Sequence, residues 1–348
     1  MIPSDELLHQ LPKAELHMHL DGSLRPATML DLAWDRDVDM PASTAEALGR
    51  YMLVSDAASL EEYLERFEVT LSVMQDVEAV ERIAYECVID HASENVRYVE
   101  LRFCPQLNTL MGARTDDVLA AALAGMRRAE ADVGNAGRRT IRANLIVCAL
   151  RSHDPGLTLE TAELAIAFRD RGVCGFDIAG AEAGNPVSDH AAAFDLAAQA
   201  GLPITIHAGE GFGAASIRQA LEIGHARRIG HGTRLFEDRA LVEEVRQRGV
   251  ALEVCLTSNL QTRVVTSYAS HPAQRYLRAG IPVSLGTDNR LMSGVTLTDE
   301  YIHARDGLCL SWSELRAVSR AGFEHAFVAD HERVALLAAF DAEVSALG

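Results

Sequence analysis

The sequence predicts an α/β protein, a (β/α)8 TIM barrel with a helical insertion after its first strand. Three observations carry this expectation. Eight short apolar runs alternate with longer amphipathic stretches along the 348 residues. The runs are rich in Val, Ile and Leu and are bounded by Gly, Pro or polar residues, the pattern of parallel strands buried on both faces. The stretch between the first two runs is roughly eighty residues, far beyond an ordinary βα crossover.

The runs fall at 15–20, 96–104, 142–150, 172–179, 203–208, 228–232, 250–256 and 282–286. Helical segments between them include 77–92, 158–171, 188–200 and 240–248. Repeated strand–helix units argue for a closed barrel, with a doubly wound open sheet as the alternative. Within the insertion, helical pieces are expected near 26–35, 42–53 and 59–76. Leu60, Tyr63, Leu64 and Phe67 put an apolar stripe on one face of the last piece. An insertion after a barrel strand sits above the C-terminal face, where barrel enzymes keep their chemistry. A lid is therefore expected over about 24–94, on a chain that reads as one domain from 1 to 348.

Composition narrows the partners. Hydrophobic residues make up 48% of the chain, enough for a large core, and no apolar run approaches a membrane span. With 32 basic against 50 acidic side chains, the formal charge is 32 − 50 = −18, which disfavours nucleic acid and leaves a small molecule as the expected partner. The six cysteines contain no C-x-x-C pair. Cys104, Cys148, Cys174 and Cys255 lie in the strand runs and read as buried reduced thiols. The acidic N-terminus lacks the basic start and apolar stretch of a signal peptide, so the cytoplasm is the expected compartment.

The strongest chemical signal sits at the predicted strand ends. His17 and His19 alternate with Leu16, Met18 and Leu20, so both imidazoles point to one face, the barrel interior. Two inward histidines on one strand are costly without a cation or hydrogen-bond partners. His207, His231 and Asp288 each fall at the end of a separate later run. Imidazoles with one carboxylate suit Zn2+ with a position left for water. His17, His19, His207 and Asp288 are taken as ligands of one zinc per chain, leaving His231 as a base or water orienter. His9, His91, His190, His225, His271, His303, His325 and His331 lie in helices or loops, most of them expected in solvent, and His153 has no supporting group. Neither H-E-x-x-H nor P-C-x-x-C is present, which argues against a metalloprotease helix and a cysteine-ligated deaminase.

Segments 12–23 (PKAELHMHLDGS), 175–180 (GFDIAG), 207–210 (HAGE), 228–232 (RIGHG), 258–259 (SN) and 287–288 (TD) together resemble the adenosine deaminase family of metal-dependent amidohydrolase barrels. The resemblance runs in the family's order over almost the whole chain. It implies zinc ligation by His17, His19, His207 and Asp288, and a proton shuttle to purine N1 by Glu210. His231 would hold and deprotonate the zinc water, and His19 would also border the substrate. The Gly180 backbone N–H would reach N3, Asp21 would bind the ribose 5′-hydroxyl, and Leu60 and Tyr63 would belong to an apolar gate. One departure stands out: where the family has a second aspartate contacting N7, this chain has Asn289, whose amide can donate without first taking up a proton.

The implied activity is zinc-dependent hydrolysis of adenosine, and of 2′-deoxyadenosine, to the inosine nucleoside and ammonia. Adenine is the nearest alternative substrate. Related adenine deaminases carry Glu where this chain has the shorter Asp21, which leaves room for a ribose. A modified adenine nucleoside is a further alternative, and a catalytically dead purine-nucleoside binder a remote one, since a binder needs no proton shuttle.

Overall fold

The protein is described by a computed structural model covering residues 2–54, 66–137 and 140–347. Its strands are β1 (Lys13–His19), β2 (Val96–Phe103), β3 (Arg142–Leu150), β4 (Val173–Ala179), β5 (Thr205–Ala208), β6 (Arg228–His231), β7 (Ala251–Val254) and β8 (Val283–Leu285). Every neighbouring pair is parallel, in two four-stranded sheets ordered β1-β2-β3-β4 and β5-β6-β7-β8. Single bridges join the sheets at both seams, Phe176 to Ile204 and Met18 to Asp288. At the second seam Asp288 N donates to His17 O at 2.9 Å and His19 N to Asp288 O at 2.7 Å. The strands therefore close in the manner of a (β/α)8 barrel.

Strand placement agrees with the apolar runs, and the differences have local causes. The seventh run ends early as a strand, because Leu256–Gln261 turns into a helix. The Glu300 carboxylate accepts from Leu256 N at 2.8 Å and Thr257 N at 3.2 Å, which caps that helix N-terminus. The helix expected to reach residue 76 is described only as Phe67–Leu71. Asp76 instead caps the next helix, Val77–Ser93, accepting from Ala79 N at 2.9 Å. Leu60, Tyr63 and Leu64 lie outside the described residues. Of the insertion, Pro26–Arg36 and Ala45–Met52 form helices, and Val77–Ser93 packs along the outer helix Thr115–Asn135. Gly125 permits that close approach: a Cβ there would meet Glu81 O at 2.1 Å.

Two expectations are corrected. Cys174 is only partly buried, unlike Cys104, Cys148 and Cys255. His91, His190 and His271 are buried rather than in solvent. Each has a protein partner in place of water: the Cys87 carbonyl oxygen at 2.7 Å, the Arg151 carbonyl oxygen at 3.2 Å, and Asn259 Oδ1 at 3.1 Å. Among the described residues no helix is long and apolar enough to cross a membrane.

The barrel interior is not purely apolar. Arg102 and Arg228 are among the largest fully buried side chains. Arg102 donates to Asp177 at 2.6 Å and to Glu253 at 2.8 Å. Arg228 donates to Glu253 at 2.6 Å, to the His325 carbonyl at 2.7 Å, and to Glu100. Phe327 N in turn donates to Glu100 at 2.6 Å. Four strands, β2, β4, β6 and β7, and the segment before the last helix are thus tied together by charge. Removing one partner of such a buried network strands the others without compensation. Arg228→Met is expected to lower unfolding stability by about 3–5 kcal/mol, read by denaturant titration; a loss under about 1 kcal/mol would show that the network contributes little.

Candidate active site

The ends of β1, β5, β6 and β8 deliver four histidines and a carboxylate to one point. His17, His19, His207 and Asp288 each offer a ligand atom, all within 4.8 Å of one another. The donor set fits a cation on physical grounds. His17 Nδ1 lies 2.8 Å from Glu253 Oε2 and must carry its hydrogen there, because a carboxylate only accepts. His17 Nε2 is then a bare lone pair, buried and without a hydrogen-bond partner. His207 Nδ1 is 3.0 Å from Asp177 Oδ2, so its Nε2 is also bare, and it faces His19 Nε2 at 3.0 Å. Asp288 Oδ1 completes the cluster at 3.6 Å from His17 Nε2 and 3.5 Å from His19 Nε2. Converging lone pairs and a carboxylate in a buried site are unfavourable without a positive ion between them.

Other residues aim this cluster. Burial pushes the Asp288 carboxyl up, but the imidazoles of His17, His231 and His19 outweigh it and hold the group well below the usual carboxylate range. Ser258 donates to Asp288 Oδ2 at 2.6 Å, leaving Oδ1 for the cluster. Both His231 and Asp288 sit in the left-handed region, with φ of 62° and 58°, a strained conformation for residues with a side chain. Gly230 has no side chain because His17 occupies the space: a Cβ there would meet His17 Cε1 at 2.8 Å.

Above the cluster opens a cavity of about 350 Å³. Asp21, Gly180, Glu210, His231 and Asn289 line it, with Phe67 and Leu71 of the insertion at its wall. His17 lies beneath, fully buried. Asn289 packs its side chain against Gly22, and Asp21 Oδ1 is buried without a partner. Burial pushes the Asp21 carboxyl up to about 7. Burial also raises Glu210 well above the usual carboxylate range, and the charges of Asp288 and Glu182 add to it. Burial and the neighbouring His17 keep His231 well below the usual imidazole range.

The sequence reading brings its described candidates together here, but it missed the residues behind them. Glu182 accepts from Gly209 N, Glu210 N and Gly211 N at 2.8–3.0 Å, so one carboxylate holds the loop that carries Glu210. Asp177, Glu253, Asn259 and Thr262 play similar parts. Asp177 and Asn259 lay inside recognised segments without a role. Leu60 and Tyr63, expected at an apolar gate, lie outside the described residues.

A parallel barrel with a metal-binding cluster and a deep cavity at the ends of its strands defines an amidohydrolase-type enzyme. The adenosine deaminase family profile matches residues 12–343. An adenosine deaminase of Mycobacteroides abscessus is 42% identical, over 94% of this chain and 93% of its own. Three solved structures share the fold. The adenine deaminase of Arthrobacter aurescens is 27% identical, with a TM-score of 0.86, covering 96% of this chain and 99% of its own. A Burkholderia ambifaria amidohydrolase with bound Zn is 25% identical, with a TM-score of 0.88, covering 99% and 94%. Arabidopsis ADAL complexed with IMP is 30% identical, with a TM-score of 0.86, covering 97% and 98%. The chain belongs to the adenosine deaminase family.

His207→Ala is expected to remove most of the bound metal and nearly all activity, as measured by elemental analysis beside a rate assay. A variant that stays fully loaded and active would remove His207 from the ligand set.

Proposed function

We propose that this enzyme hydrolyses the 6-amino group of adenosine, giving inosine and ammonia, with one zinc ion per chain held by His17, His19, His207 and Asp288. The observation that carries this reading is the convergence of those four groups beneath the cavity that Glu210 and His231 line. The Zn-bound relative on the same fold supports the choice of ion. When bound, zinc acts as a Lewis acid that makes water a competent nucleophile near neutral pH.

The remaining chemistry belongs to the protein. Attack at C6 costs the ring its aromaticity and pushes an electron pair onto N1, so N1 must gain a proton as the bond forms. Glu210 is the acid for that step, and its raised carboxyl keeps a proton available. Asp288 and His231 orient the water. Gly180, whose φ of 97° is one glycine takes easily, offers backbone to N3. Asn289 donates to N7. Asp21 Oδ1, buried and unpartnered, accepts from the 5′-hydroxyl. The insertion, through Phe67 and Leu71, forms the wall over the substrate and acts as a lid. None of these contacts uses the 2′-hydroxyl, so 2′-deoxyadenosine is a second substrate.

The lining also separates nucleoside from nucleotide. Among the described residues it holds the carboxylates of Asp21, Glu68, Glu210 and Asp288 and no Lys or Arg. ADAL is captured with IMP, a nucleotide; a 5′-phosphate beside Asp21 would meet a carboxyl with no Lys or Arg among the described lining residues to pair it. Adenosine is therefore preferred over AMP, and over adenine, which has no ribose to satisfy Asp21.

Two outcomes follow. Glu210→Gln keeps the shape but carries no proton, so kcat should fall by ~10²–10⁴-fold with zinc content unchanged; near-normal turnover in a zinc-replete variant would exclude Glu210 as the acid. AMP should be used at roughly one hundredth of the adenosine kcat/KM or less, because like-charge juxtaposition costs several kcal/mol. Equal use of the two would show that the carboxylate lining does not set specificity.

A further inference from the structure

Asn259 sits between the site and a histidine the reaction has no use for, and its hydrogen bonds can be assigned one after another. Ala273 N–H donates to His271 Nδ1 at 3.1 Å. A backbone amide only donates, so that nitrogen is bare. Burial keeps His271 neutral, pushing it down to about 3, and its hydrogen must then sit on Nε2. Nε2–H donates to Asn259 Oδ1 at 3.1 Å, which also accepts from the Thr233 hydroxyl at 2.8 Å. With its oxygen fixed on that side, the Asn259 amide nitrogen faces the other way. It lies 3.1 Å from His231 Nδ1 and 3.4 Å from Glu210 Oε1. An amide nitrogen cannot accept, so His231 Nδ1 is the acceptor and the hydrogen of the neutral ring is on Nε2. That N–H points towards Glu210 Oε2, 3.4 Å away.

We propose that Asn259, oriented by His271, is a positioning residue that fixes His231 as its Nε2–H tautomer, so that His231 meets the reacting water as a hydrogen-bond donor and not as a base. The role in the reaction rests on the deaminase reading, whereas the relay from Ala273 to His231 stands on the hydrogen bonds alone. The family resemblance implied that His231 takes the proton from water; with its lone pair turned to Asn259, it has none to offer there. The proton leaving water needs another acceptor, and Glu210, 3.4 Å from His231 Nε2, is free to take it once it has given its own proton to N1.

The test is the 15N spectrum of histidine-labelled, zinc-loaded enzyme without substrate, the His231 signals being assigned by their loss in His231→Gln. The expected result is a protonated Nε2 and a bare Nδ1. Asn259→Asp replaces the donor by a group that only accepts, so the two nitrogen signals should exchange character. His271→Gln keeps an N–H for Asn259 and should preserve the wild-type pattern, which His271→Phe should not. A wild-type His231 protonated on Nδ1 overturns the proposal, as does a folded, zinc-loaded Asn259→Asp protein that retains Nε2–H. Absence of adenosine turnover alongside the expected spectrum would sink the deaminase reading and leave the relay intact.

Discussion

The site depends on two buried carboxylates that never touch a ligand of the metal except through hydrogen. Glu253 holds Nδ1–H of His17 and Asp177 holds Nδ1–H of His207, which turns both Nε2 lone pairs to one point. These acids stay charged because the core supplies arginine cations and imidazole N–H donors. Burial pushes Glu253 up, and Arg102 and Arg228 outweigh it; burial pushes Asp177 up, and His207 and Arg102 outweigh it. Desolvated ion pairs of this kind are poor stabilisers compared with apolar packing, so their presence in the barrel core points to the site above them. Arg228 also donates to the His325 carbonyl and stacks over Phe327, 3.5 Å from the ring centroid.

Much of the fold was legible because parallel strands buried on both faces leave a simple trace, an apolar run with polar ends. Seven of the eight ends lie within a residue or so of the observed strands, and the eighth, after Val254, fails where Glu300 starts a helix that no local pattern announces. His17 and His19 were legible as ligands because their spacing of two puts both on one face of a strand. Glu253 and Arg102 were not, since a charged residue inside an apolar run acquires meaning only from its partner, and here the partners are 151 residues apart. For the same reason His271 read as a solvated loop residue. It is buried with its hydrogen-bond partner Asn259, across a turn whose path the sequence does not disclose.

The cavity, more than the metal cluster, narrows the substrate. The histidines and Asp288 point to a reaction class and say nothing of the molecule acted on. The walls discriminate: an unpartnered Asp21 oxygen asks for a donor, the described lining residues include no Lys or Arg to pair a phosphate, and Asn289 presents an amide. Backbone strain at His231 and Asp288 shows that the barrel spends stability to bring these groups together.

The central claim is zinc-dependent deamination of adenosine by one metal site. Its most direct test is to strip the enzyme of metal, titrate zinc back, and measure inosine and ammonia formed from adenosine at each step. The stripped protein should show no activity, the rate should rise linearly and saturate at about one equivalent of zinc per chain, and inosine and ammonia should form in equal amounts. Full turnover without metal, or a fully reloaded enzyme that leaves adenosine unchanged, would contradict it.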